Sequence, residues 1–269
     1  MANSNTLAET TKLEFPAASP FCTLHQRVGL TDIEISYSRP STKGREIFGG
    51  MVPFDKVWRT GANGATKLVF NTAVKLNGTE IPAGTYALMT IPGKDQWTII
   101  INRGAEQWGS YKYDETADVA KFQVAPVKLD RAVETFTIEF DQLTDVTATL
   151  KLLWDKVEIP IKLEVDYIDQ LASRVESVMA SDEPAKPYFQ AAQFYLNHNK
   201  DLKKALTWID AAIAERDAFF IVHVKAKILA KLGDKAGAIA AAKHSKELAE
   251  KINELSYQKM NTDLINSLS

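Results

Sequence analysis

The sequence predicts an α+β multidomain protein: a disordered leader at 1–15, an antiparallel β-sandwich over 16–165, and an all-α domain of helical hairpins over 166–269. Three observations carry that division. Up to about residue 165, apolar and polar residues alternate in short runs between turn residues, the mark of strands with one face on a core. Beyond that point the apolar period lengthens to 3.6. Within the second part, two stretches echo each other at a spacing of 33 residues, a repeat length typical of stacked helical hairpins.

Residues 1–20 are polar and carry Pro16 and Pro20, so they lead into the first strand. There, alternation puts Cys22 and Leu24 on one face and Thr23 and His25 on the other. In 31–37, Ile33, Ile35 and Tyr37 alternate with Asp32, Glu34 and Ser36. Segment 75–81 contains Asn77-Gly78, a strong hairpin signal because a type I′ turn needs positive φ at both central residues. Turns follow at Pro82-Ala83-Gly84 and Pro92-Gly93. The second is expected to be type II, with Pro presetting φ and Gly taking the positive φ after it. Strands are expected on either side, at 85–91 and 97–102. Phe136, Ile138 and Phe140 mark another strand, and 146–154 and 157–165 read as two more. Pro160 cannot donate to a ladder, which places the last strand at an edge. A sandwich is the natural architecture for such strands, and an open barrel is the second choice.

Residues 167–179 read as a helix with Ile168, Leu171, Val175 and Val178 on one stripe. Asp201 is the expected N-cap of a helix over 202–214, and Gly233-Asp234 reads as a C′ glycine followed by the next N-cap. Asp201 corresponds to Asp234, Ala205 to Ala238 and Leu206 to Ile239. Residues 188–250 resemble two degenerate tetratricopeptide repeats, although the Trp and Gly-Tyr positions of that family are not filled. The resemblance implies helix pairs stacked into a binding surface. A plain helical bundle covering the sheet is the alternative.

Thirty-two Lys and Arg face 34 Asp and Glu, a net charge of −2. That balance lacks the clustered basic excess that a phosphate backbone requires, so no nucleic-acid partner is expected. No run approaches 18 consecutive apolar residues, and no membrane insertion is expected. Cys22 is the only cysteine, which allows neither an internal disulfide nor a Cys-rich metal cage. It reads as a small apolar residue. The start of the chain lacks the basic and apolar regions of a signal peptide. The expected compartment is the cytoplasm, or the periplasm or exterior if a leader was trimmed.

The stretch that does not read as scaffold is 38–63, a long connection rich in Gly, Pro, Arg, Lys and Trp. Its cations are Arg39, Lys43, Arg45, Lys56 and Arg59, against Glu46 and Asp55 alone. Long ordered loops in compact domains are functional or anchored. Arg39 falls on the core side of a strand end, where a guanidinium needs a carboxylate, a carbonyl or an anionic ligand. Trp58 and Arg59, adjacent on an extended backbone, point opposite ways. Thr60, Gly61 and Asn63 supply a hydroxyl, a flexible backbone and an amide for an oxygen-rich ligand. The candidate ligand site is therefore Arg39, Lys43, Arg45, Trp58, Arg59, Thr60 and Asn63. An internal polar and packing network that locks the loop onto the sandwich is the competing account of the same residues. Trp97, Trp154 and Trp208 read as core. Trp108 and Tyr111 lie in a loop and are, with Trp58, the aromatics considered for stacking on a ligand, against the competing account of a surface pair tucked against the sheet.

No catalytic residue, metal site or cofactor is read. A Gly-x-Ser-x-Gly elbow, a His-Glu-x-x-His pair and a phosphate-binding Gly-rich loop are all missing. His25, His198, His223 and His244 show no ligand spacing.

Several motifs together resemble the domain-of-unknown-function family 2911 over about residues 16–165. They are Val28-Gly29-Leu30-Thr31, Tyr37-Ser38-Arg39-Pro40, the run from Gly44 to Gly50, Val52-Pro53-Phe54, the run from Val57 to Asn63, Pro82-Ala83-Gly84-Thr85-Tyr86, Ile91-Pro92-Gly93 and Trp97. The resemblance implies a bacterial, often exported protein with a β-rich domain, and it implies no reaction. The functional expectation is a non-enzymatic binding or scaffold protein. It would recognise a small anionic or sugar-like molecule or a peptide through its Arg/Trp loop, and a protein partner through its helices. A hydrolase-type enzyme with an unrecognised site is one alternative, and an assembly protein acting through its helical repeats is another.

Overall fold

The structure, a computed structural model, describes residues 15–269. Of the expected leader only Phe15 is among the described residues. The chain divides after Tyr167 into two compact units.

Among its described residues the first unit has ten strands, most of them built on alternation. They are β1 (Phe21–Val28), β2 (Thr31–Ser38), β3 (Ala62–Phe70), β4 (Val74–Leu76), β5 (Thr79–Ile81), β6 (Gly84–Ile91), β7 (Trp97–Asn102), β8 (Asp118–Val124), β9 (Val127–Asp141) and β10 (Thr147–Val165). They form a six-stranded sheet in the order β1-β2-β3-β6-β7-β8 and a four-stranded sheet in the order β5-β4-β10-β9. Every paired strand runs antiparallel. The inward residues of both sheets share one core. Ile33, Ile35, Leu68, Leu88, Ile99 and Ile101 from the larger sheet meet Phe136, Leu150, Leu152, Ile161 and Leu163 from the smaller. Each such side chain contributes roughly 1.5–3 kcal/mol when fully buried, so this shared face holds the sandwich together.

Three details depart from the sequence reading. The segments 146–154 and 157–165 are one strand, β10, with pairing irregularities around Asp155, whose φ is +50°. This irregularity sits where two separate strands had been read, and it bends the strand without ending it. The strand is also interior. Pro160 is tolerated there because the ladder to β9 is recorded only as far as Glu158 and the ladder to β4 begins at Leu163. Finally, Gly93 does not adopt positive φ, so Pro92-Gly93 is not a type II turn. Glycine is required there by space: a Cβ would stand 2.2 Å from the Gln96 carbonyl oxygen.

The Asn77-Gly78 turn behaves as expected, with φ of +46° and +80°. The β1–β2 turn at Gly29-Leu30 is tighter. Gly29 has φ +56°, and a Cβ on it would lie 2.4 Å from the Tyr167 ring and 2.6 Å from the Asp145 carbonyl oxygen.

The second unit consists of α1 (Ile168–Ala180), α2 (Tyr188–Asn197), α3 (Leu202–Glu215), α4 (Phe219–Leu232), α5 (Lys235–Lys251) and α6 (Leu255–Leu268). Asp201 and Asp234 cap α3 and α5 through their carboxylates, and Gly233 closes α4 in the left-handed conformation. The expected stripe on α1 is only partly used. Val175 packs on the helical core, while Val178 is exposed. Small residues let α4 and α5 approach closely: Ala226, Ala238, Ala241 and Ala242 are all buried. None of these helices is long and apolar enough to cross a membrane.

A polar chain pins α6 to its neighbours. Buried Asn261 donates to Ser245 Oγ and to the Tyr257 carbonyl, both at 2.8 Å. Its Oδ1 must therefore accept from His223 Nδ1–H, also at 2.8 Å. Burial holds the His223 pKa below its ordinary 6.5, with Lys227 acting in the same direction and the Asn261 bond opposing it. The unfolded chain therefore takes up this proton at a higher pH than the native one. The resulting stability is fully present above pH 6.5 and declines as pH falls from there through the folded-state value. The helical unit of the wild type should melt at progressively lower temperature in circular dichroism scans below pH 6.5. His223→Gln should flatten that part of the profile, and an unchanged slope would assign it to other groups.

Candidate functional site

Segment 39–61 crosses the sandwich between β2 and β3, and most of its predicted site residues are committed internally. The Arg39 guanidinium donates to the Phe136 carbonyl at 3.0 Å and to Thr137 Oγ1 at 2.7 Å. The competing needs of a half-buried guanidinium are thus met by a carbonyl and a hydroxyl of β9. Arg45 folds back on its own loop, with Nε 2.9 Å from the Thr42 carbonyl and a terminal nitrogen 2.7 Å from that of Ser41. Thr42 Oγ1 and the Lys43 backbone N–H both donate to Glu134, and these bonds, the Thr42 one first, hold its carboxyl below the usual range. The Lys43 side chain is exposed.

Trp58 goes to the core. It pairs with Thr90 through N–H···O bonds of 2.7 and 2.9 Å, and its indole N–H donates to the Gly61 carbonyl at 3.1 Å. Its ring stacks on Trp154, with centroids 5.7 Å apart, and meets Phe48, Trp97 and Phe136 edge-on. The ring is 7% exposed and offers no face to a ligand. Thr60 is fully buried with its hydroxyl 3.1 Å from that of Thr90. Asn63, at φ +59°, donates to Ser38 Oγ at 3.2 Å.

Arg59 is the exception. Its side chain is half-buried, and its Nε is enclosed without a hydrogen-bond partner. Its carbonyl accepts from Thr66 N at 3.2 Å. On the residue before Thr66, Ala65 N donates to the Gln107 carbonyl at 3.0 Å. Gly64 is bridged to Trp108, and Gly109 N donates to the Asn63 carbonyl at 2.9 Å. Ser110 Oγ donates to the Val57 carbonyl at 3.1 Å. The loop between β7 and β8 is thus stitched along 57–65. Gln107 Oε1, like Arg59 Nε, is enclosed without a partner.

That stitching presents two aromatics to solvent. Trp108 is 68% and Tyr111 84% exposed, so they are not tucked against the sheet as the sequence reading had them. The Tyr111 ring lies over Gly109, where a Cβ would come within 2.7 Å of it. Of the other tryptophans, Trp97 and Trp154 sit in the core as expected, and Trp208 is only partly buried, packing edge-on against Tyr195 at 4.7 Å. The sequence had singled out both loops, but which indole turned inward depends on pairings between distant segments.

Among the described residues, no cluster of three or more His, Cys, Asp and Glu side chains is arranged to hold a metal ion. The family described as "Protein of unknown function (DUF2911)" matches residues 19–163, ending before α1. No curated protein and no solved structure matches the chain.

Proposed function

The chain belongs to the DUF2911 family of unknown function through residues 19–163, and from that premise we propose that the β unit is a non-enzymatic binding module for an anionic, sugar-like ligand. The supporting observation is the junction of Arg59 with the Gln107-Trp108-Gly109-Ser110-Tyr111 loop. There, enclosed polar atoms without partners lie on the same stitched backbone as two exposed aromatic rings. Indole and phenol faces stack on the C–H faces of sugar rings, while a guanidinium pairs with a carboxylate and an amide with hydroxyls. Arg39, Arg45, Trp58, Thr60 and Asn63 would then serve as the frame that holds Arg59 in place.

Thermal unfolding against glucuronate, galacturonate and glucose tests this reading. A ligand at about 100 times its dissociation constant adds roughly 2.7 kcal/mol, which moves the midpoint by several degrees. A uronate should raise the wild-type midpoint more than glucose does, and Trp108→Ala and Arg59→Gln should each remove the rise. No shift with any of the three, in a well-folded wild type, would overturn the proposal.

A further inference from the structure

Strand β1 is an uncapped edge. Among the described residues, it closes one side of the six-stranded sheet and pairs with β2 alone. The other three sheet edges are blunted, each in its own way. β5 has three residues, and β8 pairs irregularly with β7. β9 is covered at 134–136 by Pro40–Thr42 backbone bonds, with Thr42 N donating to Glu134 O and Phe136 N to Pro40 O, both at 2.8 Å. β1 runs for eight residues without a bulge or an internal proline, and its first residue, Phe21, is 70% exposed. Long regular edges of this kind are templates for a further strand.

The register of β1 determines what that strand must be. Arg39 N donates to Pro20 O at 2.9 Å, in line with the pairing of Phe21 to Ser38 and Val28 to Thr31. In an antiparallel ladder, hydrogen-bonded and non-hydrogen-bonded pairs alternate. Cys22, Leu24, Gln26 and Val28 therefore turn their backbone groups to β2, and Phe21, Thr23, His25 and Arg27 turn theirs to the open edge.

We propose that this edge pairs with β1 of a second copy of the chain, antiparallel about a two-fold axis at Leu24. Only the register that sets Leu24 against Leu24 joins all four outward residues: Phe21 to Arg27 of the other copy, Thr23 to His25, and the reciprocal pairs, with about eight main-chain hydrogen bonds. Charge favours the same register. A shift by two residues would put His25 against His25, and a further shift would put His25 against Arg27, whereas here Arg27 meets the exposed ring of Phe21, a cation–π arrangement. On the core face, Leu24 joins its counterpart and extends the apolar margin formed by Cys22 and Leu24. The result is a twelve-stranded sheet shared by two copies, with a self-complementary interface as two-fold symmetry requires.

Two measurements test it. In sedimentation, the wild type should approach twice the 29.9 kDa chain mass as concentration rises. Thr23→Pro removes a donor from the open edge and none from the β2 ladder, and it should return the protein to monomer. The second test uses the native thiol. The dimer sets Cys22 across from Gln26 in a non-hydrogen-bonded pair, where Cα atoms approach to about 4.5 Å, within disulfide reach. Four residues apart on one strand, the same two positions cannot bond to each other. Mild oxidation of Gln26→Cys should therefore give a covalent dimer, while the wild type and Gln26→Ser should not cross-link. A wild type that stays monomeric at its highest soluble concentration would overturn the proposal. So would a dimer that survives Thr23→Pro, or a Gln26→Cys protein that does not cross-link.

Discussion

Trp58→Ala should lower the stability of the β unit by about 3–5 kcal/mol and its melting midpoint by roughly 10 °C. The ring is the centre of an aromatic cluster: it stacks on Trp154 and meets Phe48, Trp97 and Phe136 edge-on. Removing it leaves a large void between the sheets. It also deprives the Gly61 carbonyl of its donor, at the point where the chain must turn from the loop into β3. Trp108→Ala changes an equal number of atoms with the opposite expectation, because its ring is 68% exposed and surface changes usually stay within about 0.5 kcal/mol. Thermal circular dichroism of both variants checks the contrast. Equal melting of Trp58→Ala and wild type would remove the ring from the core and return it to the candidate ligand surface.

Gly29→Ala is expected to cost about 3 kcal/mol, from two sources that a second glycine separates. A residue with a Cβ at φ +56° is strained by roughly 1–2 kcal/mol. The same Cβ would stand 2.6 Å from the Asp145 carbonyl oxygen and 2.4 Å from the Tyr167 ring, and a backbone carbonyl cannot swing aside as a long side chain can. Overpacking of this kind adds about 1–3 kcal/mol. Gly78, at φ +80°, has nothing within 4 Å of the place a Cβ would take. Gly78→Ala should therefore show the strain alone, at about 1 kcal/mol. Chemical denaturation of the two variants gives the difference, and equal losses would show that Tyr167 and the 145 region yield freely.

The strands most legible in the sequence were those with one strictly apolar face, such as β2 with Ile33, Ile35 and Tyr37. β3 is central, yet no strand was assigned to it: the long connection was expected to run to Asn63, and Asn63, Gly64 and Lys67 interrupt the apolar residues while Val69 is apolar on the half-exposed side. Its place is set by partners on both flanks, Ile33–Ser38 on one and 84–88 on the other, which no local pattern records. The caps at Asp201 and Asp234 were legible because a cap is a local bond to the next turn. The candidate site was legible as a region and not as a set of contacts. Arg39 was expected on the core side and is held there by β9. Both Trp58 and Trp108 lie in loops of similar composition, and only the pairing of 58 with Thr90 and of 108 with Gly64 separates the inward ring from the outward one.

Strand β10 also sets a timetable. It supplies the middle of the smaller sheet, yet it is made last in its unit, and the β4–β5 hairpin, with Leu76 paired to Thr79, stays open on its other flank until Leu163 arrives. The six strands of the larger sheet are all synthesised earlier, so Ile35, Leu68 and Leu88 must wait for a cover that comes from the far end of the unit. Pairings across such sequence distances form slowly, and domains emerging from the ribosome complete themselves as units. A nascent chain that stalls before Thr147 therefore carries a finished sheet with a bare adhesive face, and its escape from aggregation depends on how quickly the next nineteen residues follow.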